Sequence, residues 1–225
     1  MKNIVKASED LFTDEQIKKE VKFILDKMSI EISDIENKYH KNVIDPFSAL
    51  FEQVIFDNNI SKWKNSEFKR QLQKTFGNLL GLFHQNLLCS LENCEEPIGG
   101  GVDLICKKKK IVAEIKNKHN STNYDSLAGS FDKLKHLLSK KKYADFTGYL
   151  VRIIPKKPKN FSKELLVTTN KKKPQYRKPH KSIFEINGEF FYEKITGNKD
   201  VLKSIFYRLP EIFKTLDNKH TSLIN

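Results

Sequence analysis

Apolar residues in the first third of the chain recur every three or four positions, the spacing that gathers them on one side of an α-helix. Ile17, Val21, Ile24, Leu25 and Met28 follow Thr13 and Gln16, which have the form of a capping box, so a first helix is predicted from about Asp14 into the thirties. Asp45-Pro46 is a second start signal, a capping side chain followed by proline at the first helical position. Phe47, Leu50, Phe51, Val54 and Ile55 supply the stripe that this helix is expected to bury. Ser66 and Glu67 open a longer third helix whose apolar face runs from Phe68 through Leu79 and Phe83 to Leu88. Its strip Gln73, Gly77, Gly81 and Gln85 carries little bulk and predicts a tight contact between helix and sheet.

Beyond CEEPIGGG the period changes. Val102–Cys106 and Ile111–Ile115 read as strands joined by the four lysines Lys107–Lys110, a hairpin. A helix over about Tyr124–Lys141 and a strand over Gly148–Ile154 follow. The stretch 155–181 holds four prolines and many lysines and reads as a long irregular excursion. Phe184–Ile186 and Phe190–Glu193 flank Asn187-Gly188, a strong signal for a second hairpin, and a last helix spans about Asp200–Leu216. The pattern predicts an α/β fold with a helical N-terminal part and one domain over 1–225. Within it, 1–95 is mainly helical, 99–155 forms a hairpin, helix and strand core, 155–182 is the basic excursion, and 183–225 holds a hairpin and the terminal helix.

Charge sharpens the picture. The 225 residues carry a formal net charge of +13, which favours a polyanionic partner because lysines that neutralise phosphates release condensed counterions. Between Lys140 and Lys181, 14 Lys or Arg stand against only Asp145 and Glu164, so one segment holds most of the excess. No apolar run approaches the roughly 20 residues of a membrane-spanning helix, and the first residues lack a secretory pattern, so a cytoplasmic protein is expected. Cys89, Cys94 and Cys106 lack paired CxxC spacing and read as reduced cysteines rather than a zinc site or disulfide framework.

The chemistry concentrates in GGGVDLICKKKKIVAEIKNKHN. Alternation along a strand sends Val112, Glu114 and Lys116 to one face, and the hairpin sets Asp103 opposite the stretch containing Glu114. Two carboxylates beside one lysine suit a hard divalent cation that keeps several waters, such as Mg2+, with Mn2+ able to substitute. Lys116 could orient or deprotonate an attacking water, or stabilise the transition state, and the sequence does not choose among these roles. The histidines are scattered rather than set at ligand spacing, which leaves HNH-type and Ser/His/Asp catalysis unsupported.

Gly101-Val102-Asp103 followed by Ala113-Glu114-Ile115-Lys116 resembles the PD-(D/E)XK nuclease motif, with Val102 where proline often stands. The longer run AEIKNKHN, with GNLLGLFHQNLL before it and FEINGEFFYEKITGN after it, resembles a branch of type II restriction endonucleases that cut GG-N-CC or GG-(A/T)-CC sites. The resemblance implies a central mixed sheet flanked by helices. It further implies catalysis by Asp103, Glu114 and Lys116, and a metal held by Asp103, Glu114 and the carbonyl of Ile115. Where many relatives place an acidic residue on the preceding helix, this chain offers His84 and Gln85 as accessory residues. Asn117, Lys118, His119 and Asn120 are candidate DNA contacts at the end of the catalytic strand. Arg177 is a candidate reader of guanine, with Lys178 beside it for phosphates. The expected partners are double-stranded DNA, a second copy of the chain and a cognate DNA methyltransferase. A structure-selective or repair nuclease of the same fold, and a non-catalytic basic DNA-binding protein, are the competing readings.

Overall fold

The computed structural model describes residues 11–35, 37, 45–56, 59–119, 123–167 and 178–216. Helix α1, Asp14–Ser33, starts where the capping box demands: the Gln16 N–H donates to Thr13 Oγ1 (3.2 Å) and the Thr13 N–H to Gln16 Oε1 (2.8 Å). Helix α2, Pro46–Ile55, begins after Asp45 as predicted. Helix α3, Ile60–Cys89, begins six residues earlier than Ser66, because Asn59 Oδ1 caps it by accepting the Lys62 N–H at 2.9 Å.

Six strands form one mixed sheet in the order β1-β2-β3-β4-β6-β5. They are β1 Cys94–Glu95, β2 Leu104–Cys106, β3 Ile111–Lys118, β4 Thr147–Ile154, β5 Ser162–Glu164 and β6 Ile183–Asn187. Strands β1, β2 and β3 pair antiparallel, β3, β4 and β6 run parallel, and β5 closes the far edge antiparallel to β6. Between β3 and β4 lies helix α4, Tyr124–Leu138, the crossover that parallel strands require. Helices α5, Gly188–Thr196, and α6, Val201–Lys214, end the described chain.

Period-2 alternation divides the sheet between two cores. Ala113, Ile115, Val151 and Ile186 face α1, α3, α5 and α6, whereas Val112, Leu150 and Ile183 face α4. Both sides of β3 and β4 are buried, which is why they read as apolar runs. Arg208 of α6 binds Asp14 and the Phe12 carbonyl, tying the last helix to the start of the first.

Three sequence expectations fail. The second hairpin at Asn187-Gly188 does not form: β6 ends at Asn187, and Phe190–Glu193 lies within helix α5 rather than in a strand. Gly188 is needed for close approach, since a Cβ there would lie 2.7 Å from the Ile153 carbonyl oxygen and 2.8 Å from its Cα. Asn187 is 2% exposed and uses its amide on the excursion, accepting the Phe161 N–H (2.9 Å) and donating to Asn160 Oδ1 (2.7 Å). The tight helix-to-sheet contact is also absent at Gly77 and Gly81, where an added Cβ would meet nothing within 4 Å; of that strip Gln85 is the buried member. Finally, the predicted stripe of α2 points outward, with Phe47, Leu50, Phe51, Val54 and Ile55 between 64% and 74% exposed.

Because backbone cannot retreat as a flexible side chain can, Gly188→Ala is expected to destabilise the protein by about 1–3 kcal/mol. A thermal melt should register this as a drop of roughly 2–4 °C per kcal/mol. An unchanged melting temperature would show that β4 and α5 are not in such contact.

Candidate active site

Leu104 pairs with Ala113 and Cys106 with Ile111 in the β2–β3 hairpin. Just before the paired residues, the Asp103 N–H also donates to the Ala113 carbonyl at 2.9 Å, which sets Asp103 beside the stretch of β3 that contains Glu114. The Asp103 carboxylate is held by the Ile115 N–H, which donates to Oδ2 at 2.6 Å. Since N–H and C=O of one strand residue point to the same side, the Ile115 carbonyl also emerges toward Asp103, past the point where β2 stops pairing.

Glu114 is 2% exposed on the α4 side of the sheet. Its Oε1 accepts from Lys116 Nζ (2.8 Å), Lys133 Nζ (3.3 Å) and Ser130 Oγ (3.5 Å). Its Oε2 is buried without a hydrogen-bond partner. Leaving a carboxylate oxygen buried and unsatisfied is costly, and coordination of a cation removes that cost. Burial, reinforced by the negative Glu114, holds the Asp103 carboxyl above its usual 3.8, although the Ile115 N–H and Lys116 pull it down. Two close carboxylates, one orphaned oxygen and a carbonyl on the same side form a donor set that fits a hard divalent ion. Among the described residues no group of three or more His, Cys, Asp or Glu gathers, so such an ion would complete its shell with the carbonyl, water and substrate oxygens.

The other predicted residues are distributed around this centre. Asn117 is half-buried, and Lys118 and His119 are exposed at the end of β3, while Lys178 is exposed late in the excursion. Asn120 and Arg177 lie outside the described residues. His84 is engaged elsewhere: its Nδ1 is 2.9 Å from the Tyr192 hydroxyl, and burial pushes its pKa down to about 4. Among the described residues neither His84 nor Gln85 bonds to Asp103 or Glu114. Burial pushes the Cys89 thiol up to about 12 and raises Cys94 also, which leaves both protonated and without nucleophilic character.

Sequence reasoning missed Ser130 and Lys133. They sit three apart on α4, so they share a helical edge, but only the packing of α4 on β3 and β4 aims that edge at Glu114. Arg152 and Asn187 were missed too. Lys116 pairs in register with Arg152, and Arg152 with Asn187, forming a polar row across the ends of three parallel strands. Arg152, 3% exposed, donates to Glu185 (3.1 Å), which also binds Lys163 (3.2 Å). Together with Asn187, this network fastens the start of the basic excursion to β6, at the far end of that row.

The mixed sheet and its α4 crossover are consistent with a restriction-endonuclease-like fold, with Asp103 just before β2 and Glu114 on β3. The chain belongs to the Eco47II restriction endonuclease family, whose model matches residues 10–217. It is 36% identical over 204 residues to the type II restriction enzyme Eco47II of Escherichia coli, covering 89% of this chain and 84% of that one. It is 32% identical over 206 residues to the type II restriction enzyme Sau96I of Staphylococcus aureus, covering 88% and 77%. No solved structure matches the chain. The resemblance read from AEIKNKHN and its flanks is thus borne out for the family.

Proposed function

We propose that this protein is a type II restriction endonuclease of the PD-(D/E)XK superfamily that hydrolyses both strands of double-stranded DNA at a short GGNCC-like sequence. The observation that carries the reading is the buried, unpartnered Oε2 of Glu114 beside Asp103. Asp103, Glu114 and the Ile115 carbonyl would hold Mg2+, with Mn2+ able to replace it. When bound, the ion supplies polarisation of the scissile phosphate and acidification of a coordinated water.

Asp103 must be ionised to act as a ligand, and the Ile115 N–H favours the ionised form by donating to it. Lys116, 24% exposed and fixed on Glu114 Oε1, carries a positive charge at the point where a phosphate must come to reach the carboxylates. It can orient the attacking water or stabilise charge on the phosphoryl oxygens. Lys133, half exposed, adds a second cation. Asn117, Lys118, His119 and Asn120 follow the catalytic strand and would contact DNA, and Arg177 and Lys178 of the excursion would contact base edges and phosphates. A palindromic target is matched by a homodimer, one centre per strand. Restriction requires a cognate DNA methyltransferase to protect self DNA, which places the pair in the cytoplasm. Consistent with that, no helix among the described residues is long and apolar enough to cross a membrane.

Plasmid DNA incubated with the protein and Mg2+ should yield discrete, reproducible fragments that chelation abolishes. A smear, or cleavage confined to junctions and ends, would contradict sequence-specific cutting and favour a structure-selective nuclease.

A further inference from the structure

Helix α2 is inside out. Its contact with α3 uses a comparatively polar side, where Ala49, Glu52, Gln53 and Phe56 are half-buried and Glu52 Oε2 accepts the Trp63 indole N–H at 2.8 Å. The opposite side displays Phe47, Leu50, Phe51, Val54 and Ile55, at i, i+3, i+4, i+7 and i+8, to solvent. A soluble helix normally buries such a stripe. Exposed patches this continuous mark contact surfaces.

Area and charge select the occupant. Side chains of these sizes at such exposure present roughly 600 Å² of accessible surface, most of the ~800 Å² that each partner contributes to a standard protein interface. From residue 42 to residue 61 there is no Lys or Arg, whereas Asp45, Glu52 and Asp57 are acidic. The segment therefore repels DNA, and it lacks the basic residues by which amphipathic helices attach to anionic membranes. For two copies of a molecule with net charge +13, mutual repulsion is weakest where bases are missing, and charge depletion is what the core of an interface requires. A single apolar stripe is self-complementary about a two-fold axis, which needs no second type of surface.

We propose that the outward stripe of α2 is the self-association face of this protein, with α2 of a second copy as its occupant. The proposal rests on the homodimer reading above and gives it a location.

The test compares the full-length chain with a Leu50→Lys, Val54→Lys double variant by sedimentation velocity and light scattering at micromolar concentrations. The expected result is a dimeric parent and a monomeric variant, its dissociation constant raised at least about 100-fold by unpaired buried charge. The variant should keep its circular dichroism and melt where the parent does once diluted to monomer, and at low enzyme concentration it should nick plasmid where the parent linearises it. A monomeric parent, with and without DNA, sinks both the homodimer reading and the face. A dimeric parent with an equally dimeric variant overturns the face alone. A variant that loses melting temperature while the parent is monomeric shows that the stripe is covered by its own chain, and likewise overturns the proposal.

Discussion

Glu114→Gln is expected to lower the rate of DNA cleavage by at least about 10³-fold while leaving affinity for duplex DNA within a few-fold of the parent. The substitution keeps the shape of the side chain and removes the charge that a divalent ion needs. Binding should survive because the phosphate contacts proposed above are made by lysines, whereas Glu114 is 2% exposed and negative. Removing a carboxylate from a surface that receives phosphate can even strengthen binding at low salt. The fold should tolerate the change, since Glu114 Oε2 is buried without a hydrogen-bond partner. Filter binding and single-turnover cleavage on the same oligonucleotide separate the two effects. A variant that cuts at the parental rate would make the carboxylate–lysine cluster structural and revive the non-catalytic DNA-binding alternative.

The second large effect is expected at Lys116. Lys116→Met retains the apolar stem and deletes the ammonium, and should cost about 10²–10⁴-fold in the cleavage step. Lys133→Met should cost much less, on the order of 10-fold, because its ammonium is farther from Oε1 (3.3 Å against 2.8 Å) and half exposed, where solvent screens it. The ordering is the informative quantity. Equal losses at both positions would mean that either cation serves and that the spacing of Glu114 and Lys116 on one strand has no special role. Melting temperatures of both variants guard against a loss of fold.

The candidate centre was legible because it is local. Asp103, Glu114 and Lys116 meet through one hairpin with a four-residue turn, and period-2 alternation fixes which of them share a face. The capping box at Thr13 and the proline after Asp45 were equally readable, each being a hydrogen-bonding or steric rule acting within four residues. Tertiary packing decided the rest. The repeat of apolar residues in α2 was read correctly and its direction was not, because periodicity says which residues lie together and not whether anything covers them. Asn187-Gly188 carried a turn signal, yet glycine answers equally to close approach, and here the β4 backbone makes that demand. Ser130 and Lys133 reach Glu114 from a separate helix, and Arg152 joins the row only through the parallel pairing of β3, β4 and β6.

The most direct measurement is calorimetric titration of a divalent ion into the protein bound to a duplex it recognises, for the parent, Asp103→Asn and Glu114→Gln, with Ca2+ or Mg2+ under non-cleaving conditions. In the parent, binding should weaken as pH falls toward the Asp103 pKa, and only in that range should it release protons. That pKa lies above the usual 3.8, so proton competition should begin at a higher pH than for an ordinary aspartate. Both variants should lose at least about tenfold in affinity, and Asp103→Asn should abolish that proton release. Ion binding of parental strength in both variants would contradict the assignment of Asp103 and Glu114 as the metal ligands of this enzyme.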